Sequence, residues 1–373
     1  MGRVATAPLT VVTGSSAADL DSIVASITYA YLLSRESRPA APVFPCLPIP
    51  AKDLPLRTEV VRLFDRVGLQ RDNLVFADDV DLEDLLVSRE GELVLVDDQG
   101  SDLAPALRAR ITEVIDHHRV EEQSARDPAG KPAGASFRRP PRRRIVEPVG
   151  SACTLVTEQI LQRKAEILDR QLATLLLAAV LLDTVNLDPN AGRATEKDRE
   201  VAGLLIQVGS VDPTALYEEM VQARCEVGAL SSSQLLGRDF KKGEAGAVRF
   251  GMSSVPLLLD SWRRRDELLE EAFSSFLEER MLDLLVVLLY GYEDEFRRQL
   301  VLGSADEHLL SRVIAGLAQP LGLVEISAAT TDRQAGVRLA GDRGAGIRGF
   351  AQRQTAESRK RIEPRLRRIL ESL

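Results

Sequence analysis

Residues 114–120 read Val-Ile-Asp-His-His-Arg-Val. An apolar run ends in an aspartate, and two of the chain's three histidines, His117 and His118, follow at once; the third is His308. Side chains alternate across a strand, so adjacent histidines at a strand end need not do the same work. One reading is a metal ligand beside a charged or proton-donating group, since imidazole is the commonest metal ligand. The other is a pair of residues in a surface loop.

Similar apolar runs occur upstream: LTVVTG (9–14), VFPCLPI (43–49) and ELVLVDD (92–98), with EVIDHH (113–118) itself and LVFADDV (74–80) as a fifth candidate. Between the first two, Ile23, Val24, Ile27, Tyr31 and Leu32 fall at helical spacing over Asp21–Ser34. Near-continuous apolar strands alternating with helices predict an α/β fold with a mainly parallel sheet covered on both faces. Such sheets bind ligands beyond the carboxyl ends of their strands. Asp19 and Asp21 follow the first strand, Asp97 ends LVLVD and Asp116 ends VID. Ser151 is the expected N-cap of a helix running to about Lys164. A second helix, about Leu168 to Leu182, runs into LLDTVNL; an unpaired charge at Asp183, behind so apolar a stretch, would be expensive.

A chain of 373 residues predicts two domains. The expected division is 1–190, a linker at 191–212, and 213–373. Residues 121–144 are polar and rich in Pro and Gly, and read as a mobile surface insertion. Its end carries Arg138, Arg139, Arg142, Arg143 and Arg144, either a solvated loop or an attractor for a polyanion. The net charge of −8 argues against general nucleic-acid binding. Scattered Cys46, Cys153 and Cys225 read as reduced thiols and a cytoplasmic chain. The N-terminus lacks the apolar core of a signal peptide, and no apolar stretch is long enough to span a bilayer. Gly2 and Thr6 fit the short myristoylation pattern, which often arises by accident. In the second half AVRFGMSSV (247–255), LDLLVVLLYGY (282–292) and RRQLVLG (297–303) read as strands. Helical patterns surround Leu268–Leu277 and Leu309–Leu317, and SRKRIEPRLRRILESL ends the chain as a basic amphipathic helix.

Hard divalent ions take carboxylate and imidazole ligands and keep positions open for water and substrate oxygens. Two such ions about 3.5–4 Å apart need one carboxylate able to bridge them, and Asp97 at the end of a central strand suits that place. Each acid also has a plainer reading; Asp19 or Asp21, for instance, is a good helix N-cap. The ordered series DLDS, LVLVD, VIDHH, GSACTLVTE and LLDTVNL is similar to the DHH phosphoesterase superfamily, which includes family II inorganic pyrophosphatases, RecJ-type nucleases and exopolyphosphatases. Within it the chain resembles the prune proteins most, through CLPI, LPLRTEVV, GSACTLVTEQIL, EILDRQLATLL and GRATEKD.

The resemblance covers nearly the whole chain. It implies a DHH domain and a smaller α/β DHHA2 domain with the active site in the cleft between them. It further implies two Mg²⁺ or Mn²⁺ ions, one at Asp21, Asp97, His117 and Asp183, the other at Asp19 and Asp97. His118 matches the group facing the substrate phosphate, and Asp116 the aspartate that orients the histidines. Lys241 in RDFK, and Ser358, Arg359 and Lys360 in SRKR, match phosphate-binding positions. The implied activity is release of the terminal phosphate from short-chain polyphosphate by water activated between two metals, with cyclic-nucleotide phosphodiesterase activity beside it. Two departures stand out. Ser15 occupies the position where pyrophosphatases have a metal-binding histidine, so the Asp19 ion should bind weakly. Asp98 follows Asp97 where the family usually has histidine. These departures suit an alternative implied by the same resemblance: a regulatory protein with a weakened site, working in the cytoplasm, the nucleus or cell adhesions with partners such as nucleoside diphosphate kinase.

Overall fold

A computed structural model of the chain describes residues 9–36, 42–101, 103–118, 140–228, 230–292, 295–326 and 346–372. It divides into two compact units, Met1–Arg224 and Cys225–Leu373.

The first unit is built on a six-stranded parallel sheet of β1 (Thr10–Thr13), β2 (Val43–Leu47), β3 (Val75–Phe76), β4 (Glu92–Val96), β5 (Ile111–Asp116) and β6 (Arg143–Val146), in the order β3-β2-β1-β4-β5-β6. Alternation explains how it is covered. Val12, Val94, Val96 and Ile115 face one core, while Val11, Leu93, Leu95 and Val114 face another on the opposite side. Helices α1 (Leu20–Glu36), α2 (Thr58–Val67), α3 (Leu82–Ser88) and α4 (Pro105–Arg108) lie between the strands in sequence. Then come α5 (Ala152–Lys164), α6 (Arg170–Asp183), α7 (Glu196–Gly209) and α8 (Pro213–Cys225). Strand order reverses direction between β1 and β4. The chain therefore leaves a crevice beyond their carboxyl ends, where Asp19, Asp21 and Asp97 lie.

Two expectations change. The stretch 191–212 is no linker: α7 buries Val201, Ala202 and Leu205, and α8 buries Leu216 and Met220, all in the first core. Their polar surroundings had hidden this i, i+4 stripe. The insertion is shorter than its composition suggested, because Arg143 and Arg144 already belong to β6 and pair with Glu113 and Val114. Its residues 121–139, Arg138 and Arg139 among them, lie outside the described residues, as do Gly2 and Thr6.

The second unit has a mixed sheet of β7 (Lys241–Ala245), β8 (Val248–Val255), β9 (Leu284–Tyr292), β10 (Phe296–Ser304), β11 (Leu323–Glu325) and β12 (Gly346–Gln352), in the order β11-β12-β10-β9-β8-β7. Among the described residues only β8–β9 is a parallel pair. Helices α9 (Ser232–Gly237), α10 (Leu259–Arg265) and α11 (Leu269–Glu279) precede α12 (Glu307–Leu321) and α13 (Arg359–Glu371). Phe250, Met252, Val286, Leu288, Leu300 and Leu302 pack on the last two, α13 meeting them through Ile362, Leu366 and Leu370. Among the described residues no helix is long and apolar enough to cross a membrane.

Candidate active site

The loop after β1 delivers two aspartates with different jobs. Asp19 caps α1, its Oδ1 accepting from Ser22 N at 3.0 Å. Asp21, in the first turn of α1 and 2% exposed, points its carboxylate at the N-terminus of α5. Its Oδ1 accepts from Ser151 Oγ (2.5 Å) and Cys153 N (2.9 Å), and its Oδ2 from Ala152 N (2.7 Å). Helix N-termini favour a negative charge. Burial opposes ionisation of Asp21, but His117 and the donors of Ser151 and Cys153 prevail and hold its pKa below the ordinary carboxylate value. Ser15 spends its hydroxyl within the same loop, accepting from Ala17 N at 3.3 Å.

Asp97 follows β4 in a left-handed conformation (φ 55°) and is also buried. Its backbone N donates to Ile115 O, which aligns the ends of β4 and β5. Its Oδ1 lies 3.3 Å from His117 Nε2 and 3.5 Å from His118 Nδ1, yet has no hydrogen-bond partner of acceptable geometry. Burial first, then the charges of Asp19 and Asp21, push its pKa up to about 7.

His117 and His118 are divided in function by what holds them. His117 Nδ1 sits 3.0 Å from Val149 O, an acceptor, so this nitrogen carries the proton. That leaves Nε2 for Asp97 Oδ1 and, at 3.8 Å, Asp21 Oδ2. A backbone carbonyl on the far ring nitrogen is the usual support of a metal-ligating histidine. Burial lowers its pKa, but Asp97, Asp21 and Asp183 outweigh burial and raise it to about 10. His118, more exposed, places Nδ1 2.8 Å from Asp116 Oδ1. Asp116 is 1% exposed and accepts from Gln99 Nε2 at 2.7 Å. Burial opposes its ionisation; the hydrogen bond from His118 overcomes this and keeps its pKa low.

Asp183 closes α6, where the helix dipole disfavours an acid. Desolvation, then Asp21 and Asp19, push its pKa well above the ordinary value. After Thr184, the residues Val185, Asn186 and Leu187 all have positive φ (55°, 55° and 60°). A left-handed turn of three residues without glycine is strained, most of all at β-branched Val185.

The first unit thus brings Asp21, Asp97, Asp116, His117 and His118 into one connected cluster, with Asp19 and Asp183 joined to it electrostatically. Asp97, His117 and His118 come within reach of a single ion. His118 Nδ1 is already turned to Asp116, so Asp97 and His117 Nε2 make the better centre. A buried carboxylate oxygen lacking a hydrogen bond, opposite a presented imidazole nitrogen, is what a divalent cation fits.

In the second unit, Arg359 Nη1 meets Asp239 Oδ1 at 2.9 Å and also its carbonyl, two residues before Lys241 at the start of β7. Ser358 is the N-cap of α13, without a side-chain capping bond, and Lys360 is exposed. Gln352 Nε2 donates to Gln354 O and Glu357 O and so holds the turn leading to them.

Several supporting residues were not singled out from the sequence. Asp198 accepts from Gly150 N, Thr195 N and Thr154 Oγ1 and fixes the turn before α5. A side chain at Gly150 would come within 2.4 Å of Thr184 Cγ2. Buried Arg57, from LPLRTEVV, donates to Ala17 O and Ala18 O beneath the Asp19 loop. Gln99 stands directly after LVDD, the one place where a polar neighbour of the motif could have been suspected.

A parallel α/β sheet with acids and paired histidines at its carboxyl ends, followed by a second α/β unit, defines the DHH phosphoesterases. Residues 10–180 match the DHH family N-terminal domain, and residues 218–369 match the DHHA2 domain. The chain is 31% identical to exopolyphosphatase PRUNE1 of Mus musculus, over 97% of its own length and 76% of that protein's. It belongs to the prune exopolyphosphatase family, and with it to the phosphoanhydride hydrolases. It is 26% identical to a manganese-dependent inorganic pyrophosphatase of Methanothrix thermoacetophila, over 79% of this chain and 85% of that one. In fold it is similar to a Methanococcus jannaschii crystal structure assigned to the family II inorganic pyrophosphatases. There the TM-score is 0.64 at 18% identity, covering 97% of this chain and 99% of the other.

Proposed function

We propose that this chain removes terminal phosphate from short-chain inorganic polyphosphate, using two divalent ions, Mn²⁺ or Mg²⁺. The observation that carries the reading is the buried Asp97 Oδ1, without a hydrogen bond and facing His117 Nε2. The names of its relatives, exopolyphosphatase and manganese-dependent pyrophosphatase, support the substrate class and the metal.

On this reading Asp21, Asp97, His117 and Asp183 hold one ion, and Asp19 with Asp97 the other. Bound ions supply Lewis-acid activation of water and neutralise charge on the phosphoryl oxygens. The chain's own residues do the rest. Val149 O keeps the His117 proton on Nδ1, so that Nε2 stays available. Asp116 holds His118 toward the substrate phosphate. Lys241, Arg359 and Lys360 neutralise phosphate oxygens, and Ser358 hydrogen-bonds to them. Ser15, its hydroxyl turned to Ala17 N, leaves the Asp19 position the weaker of the two. Cyclic-nucleotide hydrolysis belongs to the reading as a side activity, and a cytoplasmic place as its setting.

The test is phosphate release from tripolyphosphate with Mn²⁺ or Mg²⁺, comparing wild type with Asp183→Ala and running pyrophosphate and cyclic AMP alongside. Metal-dependent release should fall by at least about a hundredfold in the variant. Wild-type release no greater than the variant's, on every substrate, would end this reading in favour of a regulatory binding protein.

A further inference from the structure

Gln99 lies between the metal-facing end of β4 and the arginine-rich strand β6, and its amide is used at both ends. Nε2 donates to Asp116 Oδ2 (2.7 Å) and to His118 O (3.2 Å). Oε1 accepts from Arg144 Nη2 at 2.9 Å. An amide has one donor end and one acceptor end. Turned over, this one would set its carbonyl against the Asp116 carboxylate and the His118 carbonyl, and its NH₂ against a guanidinium. Arg144 therefore fixes the amide together with Asp116 Oδ2 and the His118 carbonyl, and the amide, by occupying Oδ2, leaves Asp116 Oδ1 to accept from His118. Asp116 Oδ1 takes both His118 Nδ1 (2.8 Å) and His118 N (3.2 Å), so the aspartate sets the ring's plane as well as its tautomer.

We propose that Gln99 and Arg144 are positioning residues for His118, acting on it through the Asp116 carboxylate. The inference rests on the reading that His118 faces the substrate phosphate. It gives a task to one arginine of a basic stretch whose composition alone suggests a solvated loop. It also gives LVDDQ, where the sequence departs from its family, a built-in support for the histidine pair.

Three histidines in the chain make the test direct, because the imidazole ¹⁵N spectrum holds only three rings. The spectrum of metal-free full-length protein would be compared for wild type, Gln99→Leu, Arg144→Met, Arg144→Lys and the double variant Gln99→Leu/Arg144→Met. The His118 ring signals should move in Gln99→Leu and in Arg144→Met, while those of His308 stay. The double variant should move them no further than Gln99→Leu alone, since both changes act along one path. Arg144→Lys, which keeps a donor, should restore most of the wild-type spectrum. With tripolyphosphate, Gln99→Leu should lower kcat about tenfold and change KM by less than about twofold. Unmoved His118 signals in Arg144→Met, or additive shifts in the double variant, would overturn the proposal. Arg144 is exposed, so its variants decide the matter even if Gln99→Leu does not fold. If wild type releases no phosphate, the proposed substrate fails, while the spectrum still tests the relay by itself.

Discussion

The first sheet has polar, buried chemistry at both ends, and the two ends are built on opposite principles. At the amino ends of the strands Tyr29 OH donates to Glu113 (2.5 Å), Arg163 donates to Tyr29 OH (2.6 Å), and Arg163 pairs with Glu36. Charges balance there, and donors meet acceptors apart from Arg143 Nε, which lies 3.6 Å from Glu113 Oε2 without a hydrogen bond. At the carboxyl ends three aspartates, Asp21, Asp97 and Asp183, crowd around His117, Asp97 Oδ1 finds no donor, and Asp183 sits at the wrong end of a helix. A satisfied network is what a fold keeps for stability. An unsatisfied one persists when something outside the chain completes it. That difference, rather than acidity as such, supports the proposed site at the carboxyl ends.

The sharpest way to break the comparison is Asp97→Asn. If the carboxyl end is functional, phosphate release should fall at least about a thousandfold. The melting temperature of the metal-free protein should change by only a few degrees, since the burial cost of the Asp97 carboxylate is relieved while its attraction for protonated His117 is lost. A lower melting temperature with activity intact would reverse the assignment. The amino end should answer the other way. Arg163→Met strands Glu36 and Tyr29, and should destabilise the protein by about 2–3 kcal/mol in urea unfolding while leaving activity per folded molecule unchanged.

A third effect concerns pH. In the metal-free protein His117 titrates at about 10 instead of the ordinary 6.5. The folded state then holds the proton more tightly than the unfolded one. The resulting stability is complete below pH 6.5 and is lost as pH rises toward 10, with a slope of at most about 1.4 kcal/mol per pH unit. His117→Gln should flatten that slope. Tyr29, held in its neutral form by burial and by Glu113, should act only above pH 10. A persistent slope between pH 6.5 and 10 in His117→Gln would assign it to another group.

Much of this asymmetry was legible in the sequence, and the reasons are specific. Strands β1, β4 and β5 are apolar because both faces of a parallel sheet are covered, so their ends could be located and Asp21, Asp97, His117 and His118 placed there. Strand β6 was hidden because Arg143 and Arg144 read as loop, and β7 because Lys-Lys-Gly-Glu-Ala carries no apolar alternation. Both are edge strands, which tolerate charge. Apart from the local capping bond of Asp198 to Thr195, Gln99 and Asp198 reach partners 17 to 48 positions away, and no local pattern records such partners. The left-handed turn at Val185–Leu187 has no glycine to announce it.

The aspartates of the DLDS loop also differ in how replaceable they are. Asp21 joins α1 to the start of α5, 130 to 132 residues later, through three donors. A lineage released from catalysis would be free to lose Asp97 and Asp183, whose charges burden the fold, but would lose architecture along with Asp21. Decay of the activity should therefore leave an ordered trace, with the second aspartate of the loop surviving longest as a relic of construction.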